Sequence, residues 1–218
     1  MLLISALVIV AGFTVNAIRA MTQRVALQNA ADAASLTGAS MLADGLNVIA
    51  TCNAGILALY GSLLAGNWDA LEQVKPLQAA QDAVQKNTPR LALAAAVAEA
   101  LKSGADGAVP LNSWSGKAVP DLMVKRVYLL PAIFGTSFPL WMKDTFQSGK
   151  RKPHGDRFLR VGVWRNRTHL PFDQGRNAPQ SAMAEAAVWG ERVLGSAVVW
   201  PPPVPRFKAR LVEVTPPW

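Results

Sequence analysis

Eight basic residues fall within a 27-residue stretch of the chain: Lys150, Arg151, Lys152, Arg157, Arg160, Arg165, Arg167 and Arg176. Trp164, His154 and His169 stand among them. Arginines interleaved with aromatic rings can hold nucleic acid, because guanidinium groups contact phosphates and rings stack on bases. The same residues suit anionic lipid headgroups or an acidic surface on a neighbouring protein. They also suit a solvated strand face with no ligand. Other chemistry is sparsely provided. Asp156 beside His154 is an isolated acid–imidazole pair. Two His and a single Cys, Cys52, give neither a metal-ligand spacing nor an internal disulfide framework. Nucleophile-elbow, phosphate-loop, HExxH and dinucleotide fingerprints are missing from the sequence. The expectation is therefore a chain with no catalytic, cofactor-binding or metal-binding residues. Asn166-Arg167-Thr168 fits the glycosylation sequon, a pattern of low specificity.

The net charge of +8 is unevenly placed. Residues 1–110 hold six Lys and Arg against seven Asp and Glu, whereas residues 111–218 hold sixteen against seven. The chain is 51% apolar and 17% charged, below the usual ~25% charged, which excludes a disordered polyelectrolyte. Its 218 residues suit one domain or two small ones.

The first eighteen residues, MLLISALVIVAGFTVNAI, contain no charge. As a helix they span ~27 Å, close to the ~30 Å hydrocarbon core of a bilayer. A membrane helix is the leading expectation. A cleaved signal peptide and a buried core helix are the alternatives. The first lacks a basic n-region, and the second seldom goes five turns without a polar stripe. The apolar run at position 1 also fits a chain whose short leader has been removed, and a shortened chain equally well. Arg19 and Arg24 follow the apolar run and point the C-terminal side inward by the positive-inside rule, but a removed basic leader would reverse that orientation. After Arg19 the sequence stays rich in Ala, Leu, Gln and Met, which predicts one helix of about 40 residues ending at Gly45. Ala26, Ala30, Ala33, Ala34 and Gly38 recur at three- and four-residue steps. That spacing predicts a seam for close packing against helices of other subunits, although an alanine-rich helix alone explains part of it.

Residues 46–66 form a second apolar segment, expected to pack as its own helix against the first because Asn47 and Asn53 interrupt it; a second span is the alternative. Cys52, within it, reads as an inert buried thiol. Residues 68–103 predict an amphipathic helix broken at Pro76 and Pro89, with Asn87-Thr88-Pro89 starting a new segment. Ser103–Gly116 reads as a loop. Short helices are expected around Asp121–Leu130 and Pro139–Phe146. From Ser148 the pattern becomes strand-like. Leu159, Val161 and Val163 alternate on one face of 158–165, Ser181–Trp189 leans towards strand, and Phe207–Val214 alternates, with Lys208 and Arg210 facing away from Phe207, Ala209 and Leu211. The late tryptophans, Trp114, Trp141, Trp164, Trp189, Trp200 and Trp218, suit a small core or an interface.

The run Leu27-Gln28-Asn29-Ala30-Ala31-Asp32-Ala33-Ala34, following an apolar helix and an arginine, resembles the TadE/TadG-like group of tight-adherence (Tad, or Flp) pilus proteins. The resemblance covers about the first 45 residues. Ala182–Ala186 and Phe207–Val214 are more weakly similar to the tails of such proteins. It implies a pilin-like protein, which agrees with the α+β chain that the residue pattern predicts: a long N-terminal membrane-spanning and filament-core helix (1–45), a mostly helical segment (46–147) and a small basic antiparallel sheet (148–218). It implies anchoring in the bacterial inner membrane before assembly, an extracytoplasmic C-terminal region, and partners that are copies of itself or other pilin-like subunits. It carries over no catalytic residues. Ser5 departs from the Glu usual at the fifth position of processed major pilins, which implies a minor, tip or accessory subunit. The alternatives are a membrane-anchored scaffold that never enters a filament, and a stalked adhesin or nucleic-acid-binding module using Lys150, Arg151, Lys152, Arg157, Arg160, Arg165 and Arg167.

Overall fold

The computed structural model describes residues 2–110, 124–127, 140–143, 158–166, 179–189 and 207–212. Helix α1 (Leu2–Leu64) runs unbroken for 63 residues, ~95 Å at 1.5 Å per residue. It continues through Gly45, where a stop was expected, and absorbs the 46–64 segment that was expected to form a separate helix. Gly45 serves a different purpose. A Cβ there would lie only 2.5–3.0 Å from the Thr88 side chain of helix α2 (Ala70–Lys102), so the glycine lets the two helices approach. The stop comes instead at Gly66, whose φ of 92° places it in the left-handed region. The Gly66 N–H reaches the Leu63 carbonyl and the Asn67 N–H reaches that of Ser62, the double closure of a Schellman motif. Gly104, φ 84°, closes α2 in the same way through Leu101 and Ala100.

Helix α2 folds back antiparallel on α1: Gly38 meets Ala96, Gly45 meets Thr88, and Gly55 meets Leu77. The expected breaks at Pro76 and Pro89 do not occur. Each proline removes one rung of the helical ladder. Thr88 and Pro89 are buried, with Thr88 against Gly45, so tertiary packing holds the helix across the missing rung.

Strands β1 (Gly107–Pro110), β4 (Phe158–Arg165), β5 (Gln180–Trp189) and β6 (Lys208–Val212) form an antiparallel sheet in the order β1-β4-β5-β6. The alternation expected in β4 is realised, with Leu159, Val161 and Val163 all buried. So is the strand at 181–189. Phe207 is buried and Lys208 and Arg210 are exposed as expected, but Leu211 is also exposed, because β6 is an edge strand. β1 replaces an expected loop. Its Gly107 lies opposite Trp164, whose indole occupies the space a Cβ would need. Strands β2 (Val124–Val127) and β3 (Leu140–Lys143) pair antiparallel where two short helices were expected. Val and Trp within these four-residue runs favour a pleated partner over an isolated turn of helix.

The buried side chains stack in three groups along α1. Leu27, Ala31 and Ala34 pack with Ala96, Ala100, Leu159, Val161 and Val163. Leu42, Leu46 and Ile49 pack with Ala92, Ala186, Val188 and Phe207. Ile56, Tyr60 and Leu63 pack with Ala70 and Val74. The sheet thus covers the middle of α1, and α2 packs on its C-terminal part. The fold is α+β, with a long N-terminal apolar helix, a second helix and a small antiparallel sheet in the C-terminal half.

Candidate functional site

Two features have functional content, and both follow from where α1 is covered. Among the described residues Leu27 is the first of α1 to be buried, where it packs with Ala31, Ala100, Ala105 and Val163. Residues 3–25 project from the folded body. Leu3, Ile4, Leu7, Val8, Ile9, Val10, Phe13, Ile18, Met21 and Val25 are each between 58% and 77% exposed. An uncovered apolar surface of this size requires a membrane or other protein surfaces to bury it. By length and composition the helix is able to cross a membrane. Two hydroxyls in this segment are satisfied within the helix: Thr14 Oγ1 donates to the Val10 carbonyl at 2.8 Å and Thr22 Oγ1 to that of Ile18 at 2.9 Å. Such bonds let a hydroxyl sit in an apolar medium without an orphan donor.

The Leu27–Ala34 run marks the place where the free helix enters the body. Gln28 Nε2 donates to Asp32 Oδ1 at 3.0 Å and to the Met183 carbonyl of β5 at 3.1 Å. Ser35 Oγ donates to the Asp32 carbonyl at 3.0 Å. Of the small residues at three- and four-residue steps, Ala30, Ala34 and Gly38 are buried within the chain itself. Gly38 lies against Leu159 of β4 and Ala92 and Ala96 of α2. Ala33 is half-buried and Ala26 exposed, on the side left open.

Of the basic residues, the structure describes Arg160 and Arg165. Arg160 pairs with Glu185, directly opposite it on β5, and both side chains are largely shielded from water. Arg165 holds the Gly104 carbonyl through both Nε, at 3.1 Å, and a terminal nitrogen. A cation there complements the negative end of the α2 dipole. Both arginines therefore have internal duties. Lys150, Arg151, Lys152, Arg157, Arg167 and Arg176, together with His154, Asp156 and His169, lie outside the described residues. Among the described residues no three His, Cys, Asp or Glu side chains gather as metal ligands.

Sequence reasoning missed the amide contacts that fix α1 in the body. Gln81 Nε2 donates to Asn53 Oδ1 at 2.8 Å, both residues being fully buried. Asn47 bonds the backbone of Phe207. The available signal was the presence of polar amides in an otherwise apolar helix. Cys52, one position away from Asn53, is buried, and burial pushes its thiol pKa up.

No curated protein and no solved structure gives a significant match to this chain. Residues 1–41, which comprise the projecting apolar helix and the segment that anchors it in the body, match the family described as putative Flp pilus-assembly TadE/G-like.

Proposed function

We propose that this protein is a pilin-like subunit of a Tad-type pilus or a related envelope filament, acting by assembly rather than catalysis. The projecting half of α1 holds the subunit in the inner membrane. It is then transferred into the filament core, where the corresponding helices of neighbouring subunits bury it. The body made of α2 and the sheet faces the outside of the filament. The observation carrying this reading is the uncovered apolar stretch 3–25, which coincides with the residues similar to the pilus-assembly family. Burying one large aliphatic side chain is worth roughly 1.5–3 kcal/mol, so ten such side chains are ample to drive either insertion or helix packing.

A second reading is favoured by one specific finding. Ala30, Ala34 and Gly38, the small residues suited to helix packing, are already covered by α2 and β4. A subunit with one side of its spine closed fits an accessory protein that stays in the membrane and guides assembly. Shearing filaments from cells and probing the sheared fraction separates the two. The filament reading expects the chain in the sheared material. The accessory reading expects it solely in the membrane fraction, and that result would overturn the filament reading.

A further inference from the structure

The stretch between the apolar run and the body is basic and short. Arg19 and Arg24 are exposed and have no ion-pair partner among the described residues. Leu27, only three residues beyond Arg24, is already buried. The end of the body facing this stalk is where α2 finishes and β4 ends, since Leu27, Ala100, Ala105 and Val163 share one packed group. Two more cations stand there. The Lys102 side chain is 79% exposed and lies 3.6 Å from Glu99, and the half-buried Arg165 caps Gly104. Of the carboxylates at this end, Asp106 accepts the Asn166 N–H at 2.7 Å and Asp32 accepts from Gln28 at 3.0 Å.

Helical rise sets the scale. With Ile18 at the edge of the hydrocarbon, Arg24 lies ~9 Å beyond it and Leu27 ~13 Å beyond. The polar headgroup layer on each side of a bilayer is ~5–7 Å thick. Arg19 is therefore within the headgroups and Arg24, with its long side chain, at their outer rim. The base of the body stands a few ångströms further out, about one Debye length from the phosphates.

We infer that Arg19 and Arg24 form a cationic collar that seats the folded body on anionic phospholipid headgroups. This rests on the membrane-anchored reading above. Lipid phosphate is favoured over an acidic protein by continuity, because the collar follows the apolar segment along one rigid helix and is carried to that depth by it. The collar works on either leaflet surface and does not depend on orientation.

The test uses the full chain reconstituted in vesicles of phosphatidylcholine alone and of phosphatidylcholine mixed with phosphatidylglycerol. Amide hydrogen exchange is followed in residues 19–27 and 100–106. Each lysine or arginine near an anionic surface is worth about a five-fold change in association, so exchange is expected to slow several-fold in the anionic vesicles. High salt and the Arg19→Gln/Arg24→Gln variant should remove the difference, whereas Lys75→Gln/Lys86→Gln, remote on α2, should keep it. Equal exchange in both vesicles, with the chain resistant to alkaline carbonate, overturns the collar and leaves the anchor standing. Extraction from both vesicles by carbonate overturns the anchor and the collar together.

Discussion

The side-chain amide of Asn47 satisfies both backbone groups of Phe207: Oδ1 accepts the Phe207 N–H at 3.0 Å and Nδ2 donates to the Phe207 carbonyl at 3.2 Å. A helix side chain thus takes the part of a neighbouring strand where β6 begins. The contact joins residues 160 positions apart and fixes the sheet against the middle of α1. Asn47→Ala would leave both Phe207 groups facing an apolar contact. The expected cost is about 2–4 kcal/mol, from two lost bonds and the desolvated groups left behind. Denaturation in detergent measures it, and hydrogen exchange should rise first in residues 207–212.

Gly45 and Thr88 set the distance between the helices. Gly45→Ala improves helix propensity by up to about 1 kcal/mol, yet its Cβ would meet Thr88 side-chain atoms at 2.5–3.0 Å. The net effect is expected to be a loss of about 1–2 kcal/mol. Adding Thr88→Ala should recover part of it. A stabilised Gly45→Ala single variant would show that the close approach is unimportant.

The Asn53–Gln81 pair predicts a non-additive cycle. Gln81 is fully buried, and its Oε1 accepts no hydrogen bond among the described residues. Gln81→Leu alone removes the donor to Asn53 Oδ1 and is expected to cost about 1–3 kcal/mol. Asn53→Leu/Gln81→Leu removes both polar groups together and should be markedly less damaging than the two single changes added. Equal single and double effects obtained by simple addition would contradict a coupled pair.

Cys52 gives a pH dependence with a definite sign. Burial raises its thiol pKa above the ordinary value, disfavouring the thiolate in the folded state. The corresponding contribution to stability is fully present below the unfolded thiol pKa and is lost as pH rises through the folded one. Near neutrality both states are protonated and no effect is expected. Maleimide labelling of the native protein should be much slower than after denaturation, and Cys52→Ser should flatten the alkaline loss of stability.

Elements whose signal lies within a single segment could be read from sequence. The apolar run, the Leu27–Ala34 motif and the alternation of Leu159, Val161 and Val163 each carry their meaning locally. Gly45 and Pro89 do not. Each is a local stop signal, and each is overridden because the two stretches press together in the fold. β1, β2 and β3 are four residues each, too short for a period to declare itself. The small-residue seam could be seen, but its occupant could not. Ala30, Ala34 and Gly38 show the same spacing whether they meet another subunit or the chain's own α2. Arg160 was legible as a cation, whereas its partner Glu185 is defined only by strand register.

On the proposed function, residues 3–25 are the anchoring and assembling surface. Phe13→Asp tests it most directly, because Phe13 is 76% exposed and touches little of the folded body. A charged residue at the centre of a membrane helix costs about 2.5–3.5 kcal/mol, roughly a hundred-fold in partition. The variant should keep the circular dichroism and unfolding behaviour of the parent, while the chain leaves the carbonate-resistant membrane fraction and is lost from sheared filaments. A Phe13→Asp protein that stays in both fractions at the parent level would contradict the account.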